Sequence, residues 1–232
     1  MSVIGLIGAM DEEVAVIKEW MTDIQATEVA GCEFFQGQLD GKDVVLLKSG
    51  IGKVNAAVST TLLLANFKPS TIINIGSAGG FDPELEVGDV IISDAVVHHD
   101  VDVTAFGYAI GQLPSMPETF KADEALIALA KTAVANVGQV KAKVGLIGTG
   151  DVFMCQAERV AAVRASFPTL KAVEMEAAAV AQVCHKFAVP FVVVRSLSDV
   201  ADKESPASFE EYLTVAAQNS SLMIRAMLKE IQ

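Results

Sequence analysis

Cysteine is scarce in this chain. Cys32, Cys155 and Cys184 are odd in number and have no CxxC spacing, which points away from a disulfide framework or a zinc site. That usage fits a reducing compartment, so a cytoplasmic protein is expected. Basic residues are also few: 17 Lys and Arg stand against 29 Asp and Glu, a formal charge of −12. Such a balance argues against nucleic acid or an anionic membrane surface as the main partner, since both attract basic patches. Neutral and zwitterionic small molecules stay open. Long apolar runs are missing too. The opening MSVIGLIGAMDEEV has no basic leader region and turns acidic after a short apolar stretch, so neither a secretory signal nor a membrane span is expected. Of the three histidines, His98 and His99 are adjacent. On a strand they point to opposite faces and cannot share one metal, so a structural role is expected for them and for His185.

What is present is core. A chain of 232 residues, 52% of them hydrophobic, can bury a large interior and is compatible with one α/β domain over residues 1–232. VIGLIGA (3–9) reads as a buried strand, and DEEVAVIKEWM after it has apolar residues at helical spacing. CEFFQGQL and KDVVLLKSG follow, joined at Asp40-Gly41, a strong hairpin signal that makes the sheet mixed. KVNAAVSTTLLLANF is a helix stopped before Pro69, and STIINIG is a strand running into GSAGG, read as a turn where backbone can approach a ligand. After the strand GDVIISDAVVHHD, the stretch from Asp100 to Phe120 has no period and reads as a long loop. Helix and strand then alternate through DEALIALAKTAVANV, KVGLIGTGD, AERVAAVRASF, KAVEME, EAAAVAQVCHKF and FVVV, with a last helix from about Ser208. The pattern predicts a three-layer α/β/α sandwich around a central mixed β-sheet.

Charge gathers where strands end. FVVVRSLSDVADKES places Arg195 and Asp199 after the most apolar run in the chain, at the edge where open α/β sheets bind ligands. A structural ion pair tying down a loop is the alternative. GLIGAM is not GxGxxG and no phosphate-cradling lysine motif follows, so a dinucleotide is not expected. In AVEMEAAAVAQ, Glu174 and Glu176 lie where a strand gives way to an alanine-rich helix, so one or both should face the same edge. Helix-terminal electrostatics alone would explain such a carboxylate. With Glu12 and Glu13 also at a strand end, the acids point to general acid/base chemistry, including the two-carboxylate logic of glycoside cleavage.

GAMDEEV, KSGIGKVNAA, NIGSAGG, DVTAFGY, VEMEAAAVAQVCH and VRSLSDVAD, in this order along the whole chain, resemble the methylthioadenosine/S-adenosylhomocysteine nucleosidase family of the nucleoside phosphorylase superfamily. The resemblance implies hydrolysis of the N-glycosidic bond of methylthioadenosine, S-adenosylhomocysteine and 5′-deoxyadenosine, without a metal or organic cofactor. It makes Asp199 the general acid toward adenine N7; an ordinary aspartate costs about 4 kcal/mol to protonate at pH 7, so the site must hold or share that proton. Glu13 becomes the base that activates water, with Arg195 and Ser77 positioning it. Glu176 grips the ribose 2′ and 3′ hydroxyls, an interaction that strengthens as the ring becomes cationic. Met175 packs beside the sugar, Phe153 stacks on adenine, and the backbone of Met154 reads the purine edge. Many relatives have isoleucine at that last position, and a backbone contact tolerates the change. Met10, Ile51 and Phe209 line the pocket, and Ser198 falls among the substrate-binding residues.

The resemblance also implies a homodimer in which Val103, Phe106, Tyr108 and Pro114 of one subunit cover the 5′-alkylthio group in the other, and a place in methionine salvage. Two other readings share the fold. A purine nucleoside phosphorylase would use phosphate, but such enzymes carry an arginine where this chain has Asn74, and Glu13 would repel the anion. A catalytically silent adenosine-binding protein would lack the acid or the base; both residues are present.

Overall fold

The computed structural model describes residues 3–138, 141–200 and 205–231. One ten-stranded mixed sheet organises them, in the order β10-β6-β8-β9-β5-β1-β4-β3-β2, with β7 beside β6. The strands are β1 (Ile4–Gly8), β2 (Thr22–Val29), β3 (Cys32–Leu39), β4 (Lys42–Lys48), β5 (Thr71–Gly80), β6 (Val90–His98), β7 (Phe120–Lys121), β8 (Ala142–Thr149), β9 (Leu170–Glu174) and β10 (Phe191–Val200). The helices are α1 (Asp11–Trp20), α2 (Lys53–Phe67), α3 (Glu124–Val137), α4 (Ala157–Ser166), α5 (Ala177–Phe187) and α6 (Ser205–Glu230). Helix α2 packs on α5, whereas α6 packs on α1 and α3, giving helical layers about the sheet. None of the helices described is long and apolar enough to cross a membrane.

Local sequence accounts for most of this. β1 is buried at every position and pairs in parallel with both β4 and β5, so it lies inside the sheet and reads as an unbroken apolar run. The Asp40-Gly41 turn has φ of +49° and +79°, the left-handed pair a tight hairpin requires, and β3 and β4 are antiparallel. Asp123 caps α3 by accepting from the amides of Ala125 and Leu126, at 3.0 Å each. Helix α6 begins at Ser205, about a turn before the expected start.

Three expectations change. β2 carries no apolar alternation because it is an edge strand exposed along nearly its whole length, and sequence periodicity does not detect it. GSAGG is not a turn: β5 runs through it to Gly80. FVVV likewise does not end at Val194; β10 continues through Arg195 and Asp199. These two extensions pair with each other, in parallel, from Arg195 opposite Gly76 to Val200 opposite Gly80. Since β10 also pairs with β6, the strands β10, β6, β8, β9 and β5 form a closed circuit. The glycines permit the closure. A Cβ at Gly80 would stand 2.9 Å from a methyl of Leu197, and one at Gly79 would stand 3.1 Å from Asp199 Oδ2.

Candidate active site

The carboxyl ends of β1, β4, β5, β8, β9 and β10 surround a cavity of about 200 Å³. Its floor is polar and its mouth apolar. Glu13, from the first turn of α1, is buried and held by four donors. The amides of Ala9 and Met10 reach Oε2 at 2.7 and 3.3 Å, and the Ser77 amide and hydroxyl reach Oε1 at 2.9 and 3.2 Å. Glu12, its neighbour, is exposed and points away.

Arg195 is fully buried. Its Nη2 donates to Glu174 Oε2 at 2.6 Å and to Asn74 Oδ1 at 3.0 Å, with Glu176 Oε2 at 3.5 Å; Nη1 reaches the Ser77 carbonyl at 3.4 Å. Burial opposes the positive charge, but Glu174, Glu176 and Glu13 outweigh it and raise the pKa above the ordinary arginine value. Asn74 is buried beneath, donating to the Ile7 carbonyl at 2.9 Å while it accepts from Arg195.

The two glutamates of EME have separate jobs. Glu174 is the helix cap: its Oε2 accepts the amides of Glu176 and Ala177 at 2.9 and 2.8 Å, and its Oε1 accepts the Thr149 hydroxyl. Glu176, although it stands at the cap position, makes no side-chain cap bond. Its Oε1 instead accepts the Gly52 amide at 2.9 Å. Burial first, and the charge of Glu174 second, push its pKa up to about 8 against the pull of Arg195 and Gly52. Helix-terminal electrostatics therefore explain Glu174 and leave Glu176 turned to the cavity.

On β10, the pairing with β5 skips Ser198: Leu197 is opposite Ala78 and Asp199 opposite Gly79. This bulge brings two consecutive side chains, Ser198 and Asp199, to the cavity wall. The Ser198 hydroxyl donates to Asp199 Oδ1 at 2.8 Å. At the apolar end, Phe153 and Phe209 meet edge to face with centroids 5.7 Å apart. Met10, Ile51, Met154 and Met175 complete that wall, and Phe153 and Ile51 are partly open to solvent at 40% and 49% exposure.

All twelve residues singled out from one chain thus border one space. Glu174, which the spacing of EME placed at the same edge without a role in the chemistry, borders it as well, as do Gly79, Val152 and Val173. Val103, Phe106, Tyr108 and Pro114 do not line it. They occupy the irregular segment between β6 and β7, where Phe106 is 81% exposed at the end of a short 3-10 turn. His98 and His99 are buried away from it; His98 Nε2 lies 3.0 Å from Gln182 Oε1. Among the described residues no cluster of His, Cys, Asp or Glu is arranged to hold a metal ion. The last two residues of VRSLSDVAD, 201 and 202, lie outside the described residues.

The phosphorylase superfamily model matches residues 3–229. A 5′-methylthioadenosine/S-adenosylhomocysteine nucleosidase from Marinomonas sp. (strain MWYL1) is 75% identical over 229 residues, covering 99% of each chain. The chain belongs to this nucleosidase family. A solved nucleosidase from Colwellia psychrerythraea 34H in complex with adenine is 55% identical, with a TM-score of 0.97 over 99% of this chain and 95% of that one. Another, from Neisseria meningitidis in complex with methylthio-immucillin-A, is 45% identical with a TM-score of 0.98 over the whole of both. In this member of the nucleosidase family the buried guanidinium of Arg195 is already engaged by Glu174 and Asn74, and the charged groups that share the otherwise apolar cavity wall with it are the carboxylates of Glu13, Glu174, Glu176 and Asp199.

Proposed function

We propose that this chain hydrolyses the N-glycosidic bond of 5′-methylthioadenosine, S-adenosylhomocysteine and 5′-deoxyadenosine, releasing adenine and a 5-substituted ribose. The observation that carries this reading is that Asp199, Glu13 and Glu176 border one cavity whose wall also carries the Phe153 and Phe209 rings. Adenine stacks on Phe153 with Phe209 edge-on, and the Met154 backbone reads its edge. Asp199, oriented by Ser198, delivers a proton to N7 and makes adenine a competent leaving group. Glu13 takes a proton from the attacking water, which Ser77 and Arg195 hold. Glu176 engages the ribose hydroxyls, and its anionic form, which burial disfavours, is drawn out by the positive charge growing on the oxocarbenium-like ring and stabilises it, while Met175, Met10 and Ile51 enclose the sugar and its 5′ arm.

Several carboxylates facing one engaged arginine disfavour an anionic nucleophile, which separates this reading from a purine nucleoside phosphorylase. The exposed Phe106 and the segment from Val103 through Tyr108 to Pro114 support a homodimer in which each subunit covers its partner's 5′ subsite. The chain then acts as one nucleosidase domain in the cytoplasm, serving methionine salvage and the disposal of methyl-transfer by-products. The test is adenine release from methylthioadenosine in phosphate-free buffer, with 5-methylthioribose as co-product. Strict dependence on added phosphate, with a ribose 1-phosphate product, overturns the assignment.

A further inference from the structure

The Glu176 side chain accepts the Gly52 amide from a loop that contains two glycines at positive φ. Between β4 and α2 the backbone passes through Gly50 at φ +77° and Gly52 at φ +94°, conformations that glycine adopts without preference. Gly52 donates to Glu176 across 124 residues of sequence, and Ile51 between the glycines lines the cavity. The Asn55 side chain donates to the Ile51 carbonyl at 2.8 Å, and a ring of three residues ties the loop to the neighbouring segments. Lys53 donates its backbone amide to Asp151 Oδ1 at 2.8 Å, the Asp151 amide donates to Asp100 Oδ2 at 3.1 Å, and Lys53 Nζ closes the ring on both oxygens of Asp100 at 2.7 and 2.8 Å.

Each member stands at the root of a different segment of the site. Lys53 opens α2 directly after Gly52, and Asp151 immediately precedes Val152, Phe153 and Met154 of the cavity wall. Asp100 begins the segment that carries Phe106. Gly52 has no side chain to cap α2, so the orphan amide of its first turn is satisfied by Asp151 from across the sheet edge. The fit is close: a Cβ on Gly52 would stand 3.1 Å from Asp151 Oδ1. Lys53 and Asp100 are both partly exposed, at 22% and 24% of their side chains, and neither borders the cavity.

We propose that Lys53 is a positioning residue for glycosidic cleavage: by clamping Asp100 it holds the Gly52 amide on Glu176 and so sets the carboxylate that engages the ribose. The inference rests on the nucleosidase reading. It makes a prediction that a general packing role does not, because the clamp acts on the sugar end of the cavity and adenine has no sugar. Lys53→Met retains the backbone bond to Asp151 and loses the ion pair. Its kcat for methylthioadenosine should fall about 10- to 100-fold, the scale of a reacting group displaced by a fraction of an ångström. Its KM should change less, and inhibition by adenine should stay within about twofold of wild type, as a group remote from the base requires. Lys53→Arg, which can still fork onto Asp100, should recover most of the loss. Asp100→Asn should repeat the Lys53→Met defect, and the double variant should be no worse than either single one.

Wild-type protein in the same assay reports on the reaction itself: if it releases no adenine, the nucleosidase reading fails. If wild type is active and Lys53→Met is equally so, only the clamp is wrong. Parallel losses of turnover and adenine inhibition, or additive losses in the double variant, also overturn it by showing damage spread over the pocket.

Discussion

Gly76 is the position where one methyl group should do the most harm. Its φ is +142°, and a Cβ there would stand 2.3 Å from Arg195 Nη1 and 2.5 Å from Glu13 Oε1. Neither neighbour can retreat easily: four donors hold Glu13, and Glu174 and Asn74 hold Arg195. Gly76→Ala therefore combines overpacking, on the order of 1–3 kcal/mol, with a backbone conformation that costs a non-glycine residue a similar amount. A loss on the order of 2–6 kcal/mol is a large part of the roughly 5–15 kcal/mol that stabilises a domain. In a chain of this size it should lower Tm on the order of 10 °C. Glycosidic turnover should drop about 100-fold beyond what instability explains, because the methyl pushes the Glu13 carboxylate, the base of the proposed mechanism, off its position. Gly31→Ala is the control. Gly31 has φ +75° with nothing within 4 Å of its Cβ position, so it reports what a methyl costs at a positive φ when it strikes nothing. Thermal unfolding and adenine release on both variants separate the two contributions. If Gly76→Ala melts with Gly31→Ala and keeps near-normal turnover, the close approach of Arg195 and Glu13 across Gly76 is not what the site depends on.

Asp199→Asn should reduce turnover by about 10²–10⁴-fold while adenine still binds, since asparagine keeps a hydrogen bond but has no proton to deliver; near-normal turnover would show that another group protonates the base. Phe106→Ala should weaken methylthioadenosine binding more than adenine binding, and sedimentation should show a dimer; an active monomer, or equal losses for both ligands, refutes the shared pocket. Burial lowers the pKa of His98 and His99, so below the unfolded value of about 6.5 the unfolded chain binds protons that the folded one excludes. The stability they contribute is complete above that pH and falls as the pH drops below it. His99→Asn should make the decline of Tm from about pH 7 to pH 5 shallower; an unchanged slope removes His99 from the account.

Much of this protein is written locally. The buried run of β1, the Asp40-Gly41 turn and the end of α2 before Pro69 depend on neighbours close in sequence, and these elements form where the pattern predicts them; the Asp123 cap is equally local. The motifs that mark a family also named twelve residues that the fold brings to the border of one cavity, from strands, helices and loops alike. Other features had no local signal. β2 has exposed side chains on both faces, so its place in the sheet is fixed by backbone bonding to β3 rather than by apolar periodicity. Nothing around Arg195 states that its strand continues, because charged residues end most apolar runs; β10 goes on since Asn74, Glu174 and the open space at Gly76 accept the guanidinium. The bulge at Ser198 likewise arises from the register against β5. The assignment of capping to Glu174 and the cavity to Glu176 came from Thr149, Arg195 and Gly52, residues 25, 21 and 124 positions from their partners. Sequence chose the residue types that the chemistry uses. Tertiary structure decided which carboxylate each donor holds, because a buried hydrogen bond is made with whatever the fold brings within about 3 Å.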